Sequence, residues 1–336
     1  MSRVAVMGSG SWGTAFAMVL ADAGNDVVIW SREPEVADDI SLRHRNESYH
    51  PGIDLPPGIA STTSPQDTLA GAGVVVLAVP AQVLRENLQA WGSAVEPGAV
   101  LVSLMKGIEL GSTKRMSEVI GEAAMVEASR VAVVSGPNLA REIAQRQPTA
   151  TTVASPDRQL AQRLQEQCTT DYFRPYWTTD VIGTEIGGAV KNVIALANGI
   201  AAGMGLGENT QASLITRGLA EMARLGVALG ADPLTFQGLA GVGDLVATCQ
   251  SPLSRNRTFG FNLGRGLSVE ETIAATKQTC EGYKSCQPIL ALGRAHGVDM
   301  PITEQVVEVV HHGQSPRQMA AAFMSRDTKP ESLLAE

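Results

Sequence analysis

Hydrophobic positions in the first half of the chain fall in short, nearly continuous runs separated by longer mixed stretches. The runs cover residues 4–7, 27–30, 74–79, 100–104 and 131–135 and are dominated by valine. Strands buried on both faces of a parallel sheet read this way, whereas half-exposed strands alternate. Between the runs lie stretches with helical spacing at 14–23, 82–91 and 116–124, the first closed by Gly24 as a C-cap. Residues 148–177 add strand-like Thr151-Thr152-Val153, a polar helix over 157–166 and strand-like Tyr172-Phe173-Arg174. This segment predicts an extension of the sheet that ends near Gly183. Strand alternating with helix predicts an α/β, Rossmann-type doubly wound sheet. From Glu185 onward the pattern changes to helices rich in Gly and Ala. The chain is therefore expected to divide into a dinucleotide-binding domain, residues 1–186, and an all-α substrate domain, residues 187–330.

Composition narrows the class. The 336 residues are 44% hydrophobic but only 4% aromatic, with 34 glycines, so the core should be aliphatic with close backbone contacts. With 26 basic against 34 acidic side chains the net charge is −8, which argues against nucleic acid or a membrane surface as partner. Cys168, Cys249, Cys280 and Cys286 have neither metal-ligand nor CxxC spacing and read as reduced thiols of a cytoplasmic protein. Adjacent His311 and His312 point to different faces of a helix and suggest no metal site. The N-terminal apolar run stops at Gly8, too short for a secretory leader. The most apolar later stretch, from Gly187, is interrupted by Lys191, Asn192 and Asn198, so no membrane span is expected.

The first strand runs into Gly8-Ser9-Gly10-Ser11-Trp12-Gly13, a GxGxxG motif between strand and helix. Gly8 suits a tight turn, Gly10 a close approach to a diphosphate, and Gly13 close helix–strand packing. The N-terminus of the helix that follows would offer its unpaired N–H groups to the phosphates. An NAD site commonly has an acidic residue at the end of the second strand. Here Ser31-Arg32 stands there, followed by Glu33, which favours the 2′-phosphate of NADP(H) and leaves NAD(H) possible. The loops after later strands carry Met105-Lys106-Gly107 and Gly136-Pro137-Asn138 on the carboxyl edge, where ligands bind. Lys106 is either a ligand-side cation or an ordinary surface lysine.

Two features of the second half point to chemistry. Lys191 stands in a helix almost free of charge, and a lysine is rarely buried unless paired. Desolvation would bring such an amine toward the working range of an acid or base. Ser254-Arg255-Asn256-Arg257 after Gly243-Asp244-Leu245 makes a local anion clamp for a phosphate or carboxylate.

Taken in order, Gly8 to Ala15, Lys106-Gly107, Ser135-Gly136-Pro137, Gly188 to Ile194, Leu214 to Gly218, Gly243 to Leu245 and Ser254 to Arg257 resemble the bacterial NAD(P)-dependent glycerol-3-phosphate dehydrogenase family. The resemblance runs from residue 4 to about Thr303. It implies a 6-phosphogluconate dehydrogenase-like architecture and reversible reduction of dihydroxyacetone phosphate to sn-glycerol 3-phosphate for glycerophospholipid synthesis. It implies Lys191 as the catalytic acid/base, with Lys106, Gly136, Asn138, Asp244, Ser254, Arg255 and Asn256 around the substrate. Ser11, Trp12, Arg32, Lys106, Ala140, Arg255 and Glu281 would surround the cofactor, and the chain would form a homodimer. The sequence departs from the family at Asn138, at Met105 before Lys106, and at Thr279 and Cys280 before Glu281. From the residues alone, a two-domain reductase of another hydroxyacid or keto acid remains open, as does a non-catalytic NADPH sensor.

Overall fold

The structure, a computed structural model, describes residues 3–276, 280–325 and 327. Thr279 and the end of the expected second domain, 328–330, lie outside the described residues.

The first half is one eight-stranded sheet. Its strands are β1 (Arg3–Met7), β2 (Asp26–Trp30), β3 (Ile59–Thr62), β4 (Val74–Leu77), β5 (Val100–Ser103), β6 (Val131–Ser135), β7 (Thr149–Ala154) and β8 (Phe173–Thr178). They stand in the order β3-β2-β1-β4-β5-β6-β7-β8. Both faces are buried, as the continuous apolar runs require. Val4 and Val6 of β1 join Val74 and Val76 on one face, while Ala5 and Met7 join Val75 and Leu77 on the other. The sheet thus lies between two helical layers.

Adjacent strands run parallel except β6 and β7. The exception follows from the connection. Only the five-residue helix Ala140–Ala144 lies between them, about 7.5 Å long, too short to carry the chain back along a strand for a parallel return. Strand β8 forms an edge that is largely closed. The Phe173 carbonyl accepts from Thr170 N, the Pro175 carbonyl accepts from Gln165 Nε2, and Pro175 has no N–H to offer.

Strand β3 and the helix Pro34–Arg43 escaped the hydrophobic pattern. Ile59 alone in β3 is buried, because the strand lies at the other sheet edge.

The second half is built around the helix Val181–Gly203. Asp180 caps it, its Oδ1 accepting from Gly183 N at 2.9 Å, so the helix starts four residues before Glu185. The expected division at 186/187 therefore falls inside this helix, which itself joins the two halves. By length and composition it could cross a membrane, yet 89% of its most apolar window is buried inside the fold. It is a core helix. Its buried Glu185 accepts from Arg115 Nη1 at 2.6 Å and from Ser117 Oγ at 2.6 Å, tying it to the first half.

Glycine fixes how the helix Arg255–Gly264 lies against the core helix. A Cβ on Gly199 would stand 2.1 Å from the Arg257 carbonyl oxygen, and one on Gly260 would stand 2.0 Å from the Leu196 oxygen. Only hydrogen fits between the two backbones. The same packing brings Asn256 of the first turn to Asn192, the chain neighbour of Lys191.

Candidate active site

The glycine turn leaves β1 and opens the helix Ser11–Asp22. Gly8 has φ +130°, and a Cβ there would lie 2.6 Å from the Ala78 carbonyl oxygen. A Cβ on Gly13 would lie 2.2 Å from the Gly8 oxygen, so this glycine packs the helix onto its own turn. At Gly10, by contrast, nothing lies within 4 Å of a Cβ position. The helix has no side-chain cap and no acid in its first turn. Open space, uncapped N–H groups and a positive helix end fit a diphosphate. Trp12 packs its ring on Phe16 at 5.4 Å.

Lys106 on the loop after β5 and Lys191 in the core helix meet at one carboxylate. Lys106 Nζ donates to Asp244 Oδ2 at 2.8 Å and to the Gly136 carbonyl at 2.9 Å. Lys191 Nζ donates to Asp244 Oδ1 at 2.5 Å and to Thr248 Oγ1 at 2.8 Å. Lys191 is 6% exposed and Asp244 1%. Burial is the main force on the Lys191 ammonium, pushing its pKa down to about 8; Asp244 resists this and Lys106 assists it. Each ammonium has three N–H bonds and spends two on protein, so each retains one donor.

A second hydrogen-bonded chain supports this centre. Asn192 Nδ2 donates to the Lys106 carbonyl at 3.0 Å, and its Oδ1 accepts from Asn256 Nδ2 at 2.9 Å. Asn256 Oδ1 in turn accepts from Gly282 N at 2.8 Å and from Cys280 Sγ at 3.1 Å. This brings the first turn of the helix Glu281–Ala295 to the site. The Glu281 carboxylate, its pKa raised by burial, lies opposite Ala81 N at 3.4 Å and beside Gly107.

The remaining expected residues lie as follows. Ser254 caps the Arg255 helix, its Oγ accepting from Arg257 N at 3.3 Å. Arg255 is exposed, and its charge acts on Glu281, whereas Arg257 has its Nε buried without a partner. Asn138 follows Gly136 and accepts from Thr151 Oγ1 at 3.0 Å, with its Nδ2 buried and unpartnered. Ala140 begins a short helix packed near the sheet core. Arg32 at the end of β2 is 84% exposed, 3.6 Å from Glu33, and joins none of the others. Ser31 is buried and accepts from Ser9 Oγ at 2.9 Å.

Sequence reasoning overlooked Thr248, although it stands one helical turn after Asp244, where side chains share a face. It also assigned nothing to Asn46 and His50, which contact the glycine turn from a distant loop.

A doubly wound sheet with an anion-ready glycine turn, and a buried lysine joined through one carboxylate to a second, half-buried lysine where the sheet meets a helical half, define an NAD(P)-dependent oxidoreductase. Residues 3–161 match the model of the NAD-dependent glycerol-3-phosphate dehydrogenase N-terminus, and residues 180–321 match that of the C-terminus. The glycerol-3-phosphate dehydrogenase (NAD(P)+) of Streptomyces griseus is 62% identical, over 98% of this chain and 98% of its own. The protein so named in Thermobifida fusca is 61% identical, over 98% of this chain and 99% of its own. The crystal structure of glycerol-3-phosphate dehydrogenase from Coxiella burnetii superposes with a TM-score of 0.92 at 36% identity, covering 97% of this chain and 99% of that one. The chain belongs to the NAD-dependent glycerol-3-phosphate dehydrogenase family.

Proposed function

We propose that the chain reversibly reduces dihydroxyacetone phosphate to sn-glycerol 3-phosphate, with NADP(H) preferred over NAD(H). One observation carries the chemistry: an almost fully buried lysine, its pKa lowered to about 8, bonded to a carboxylate and retaining one donor. When bound, the nicotinamide supplies hydride to the C2 carbonyl of the triose. Lys191 donates its remaining N–H to the carbonyl oxygen and gives up that proton as negative charge develops. In the reverse direction the neutral amine takes the proton of the C2 hydroxyl. Lys106 adds a second N–H donor from the other carboxylate oxygen of Asp244.

Phosphate recognition falls to Arg255 and to the N–H groups of Arg255 and Asn256 that open its helix, the Arg257 N–H being taken by the Ser254 cap. Asn256 and Ser254 support that turn from within, and binding the distant phosphate orients the reacting carbonyl. Gly136 and Asn138 line the substrate from the loop after β6. The glycine turn from Gly8 to Gly13 would hold the cofactor diphosphate, Arg32 the 2′-phosphate, and Ala140 and Glu281 the remainder of the cofactor. On this reading residues 1–186 bind the dinucleotide and residues 187–330 the substrate. The same proposal includes a cytoplasmic homodimer that supplies glycerol phosphate to glycerophospholipid synthesis. Four buried cysteines, all unbridged, support the location.

The test follows NADPH oxidation by absorbance with dihydroxyacetone phosphate, unphosphorylated dihydroxyacetone and a set of 2-keto acids. Turnover with the phosphorylated ketone, lost by orders of magnitude in Lys191→Ala with NADPH binding retained, is expected. Equal turnover of a 2-keto acid, or near-normal turnover in the variant, would overturn the assignment.

A further inference from the structure

Two side chains outside the glycine turn bear on how it binds, and their role rests on reading that turn as a dinucleotide site. Asn46 and His50 lie in residues 45–54, between the helix Pro34–Arg43 and β3. Arg45 and Asp54 close the base of this stretch, with Nε 2.9 Å from Oδ1. Both Asn46 and His50 are completely buried. Asn46 Nδ2 donates to the Ser9 carbonyl at 2.9 Å and to Thr14 Oγ1 at 2.9 Å. Thr14 Oγ1 donates to the same Ser9 carbonyl at 3.0 Å. A carbonyl can only accept, so the amide group facing Ser9 must be the NH2. By the same argument His50 carries its proton on Nε2, which donates to the Ser11 carbonyl at 2.8 Å. Burial lowers the pKa of this ring, and the Arg141 charge lowers it further.

We propose that Asn46 is a positioning residue for the cofactor diphosphate, assisted by His50. An anion-binding turn works only when its N–H groups face the anion and its carbonyls face away. The peptide units are planar and trans. Drawing the Ser9 oxygen toward Asn46 therefore turns the Gly10 N–H to the opposite side, at the residue where nothing fills the Cβ position. Drawing the Ser11 oxygen toward His50 does the same for the Trp12 N–H. Without Asn46 the Ser9 carbonyl keeps only the Thr14 hydroxyl as donor, so the peptide is held by one bond instead of two and turns more readily to present its carbonyl dipole to the phosphates. The glycines permit the turn, and the distant amide selects its binding orientation.

Asn46→Asp and Asn46→Ala test this. The first keeps the shape but faces the Ser9 carbonyl with a carboxylate, and the second removes the donor. NADPH affinity is measured by titration of protein fluorescence without substrate, and the unliganded Tm is recorded for each variant. The Kd for NADPH should rise roughly tenfold or more, the effect of one to two lost hydrogen bonds. The KM for dihydroxyacetone phosphate at saturating NADPH, and kcat, should stay within about twofold, because the lysine centre is untouched. An unchanged Kd in a variant that keeps the parent's Tm overturns the proposal. So does a parallel rise in both KM values, which a general loosening of the fold would produce. Should the Asn46 variants fail to fold, His50→Leu fills the same space without a donor, and a several-fold rise in NADPH Kd alone is expected; no rise overturns the proposal. Parent protein that binds no NADPH overturns the dinucleotide reading, a result distinct from all of these.

Discussion

Replacing Asp244 with Asn separates charge from shape at the catalytic centre. The carboxylate is 1% exposed and takes Lys106 on one oxygen at 2.8 Å and Lys191 on the other at 2.5 Å. Asn is nearly isosteric, so the variant leaves two ammonium groups facing a neutral amide. A unit charge about 4 Å away at an effective dielectric of about 20 contributes about 4 kcal/mol, or roughly three pK units. Neighbouring dipoles and solvent reorganise to take up part of this, so three units is the upper bound. The Lys191 pKa, about 8 in the parent, should therefore fall to roughly 5–6. Reduction needs the ammonium, so its rate falls as pH rises through this pKa. Oxidation needs the free amine, so its rate rises through the same point. In Asp244→Asn the decline of the reductive kcat should move about two units or more toward acid, with a loss at pH 7 of roughly tenfold to hundredfold. The oxidative kcat should lose most of its dependence on pH between about 7 and 9. The assay is steady-state NADPH absorbance in both directions from about pH 5 to 10 at saturating substrates. If kcat falls while both inflections stay at the parent's position, Asp244 does not act through its charge on Lys191.

Arg255→Ala should raise KM for dihydroxyacetone phosphate roughly tenfold to hundredfold, the value of a charged hydrogen bond, and leave the weak use of unphosphorylated dihydroxyacetone unchanged. Equal effects on the two ketones would exclude a phosphate contact. Arg32→Asp should lower the NADPH:NADH ratio of kcat/KM by about tenfold or more, since the exposed guanidinium would become a carboxylate facing a phosphate. An unchanged ratio removes Arg32 from the cofactor site. Gly260→Ala must force the Arg255 helix away from the core helix, because its Cβ would lie 2.0 Å from the Leu196 oxygen. Overpacking of this kind costs about 1–3 kcal/mol, read as a fall of several degrees in Tm by calorimetry; an unaltered Tm refutes the close contact.

The sheet strands at β1, β2, β4, β5 and β6 were legible because burial on both faces leaves a continuous apolar run that needs no partner to be recognised. The glycine turn was legible because its requirements are local: a positive φ at Gly8 and a missing side chain at Gly13. Lys191 stood out because a charge in an apolar helix conflicts with its surroundings whatever the neighbours are. Strand β3, with one buried residue, carries no such local conflict or pattern. The clamp was read as four residues acting together, yet helix geometry spreads them: Ser254 caps, Arg255 faces outward, Asn256 turns inward and Arg257 buries its Nε. Sequence alone determined the fold class, the turn and the presence of an unusual lysine. Tertiary structure alone decided what that lysine meets. Asp244 and Thr248 lie more than fifty positions away in sequence, and Asn46 reaches Ser9 across 37. Such contacts depend on backbones brought within hydrogen-bonding reach by glycine-lined helix packing and by loops between strands, and a one-dimensional pattern carries no measure of that distance.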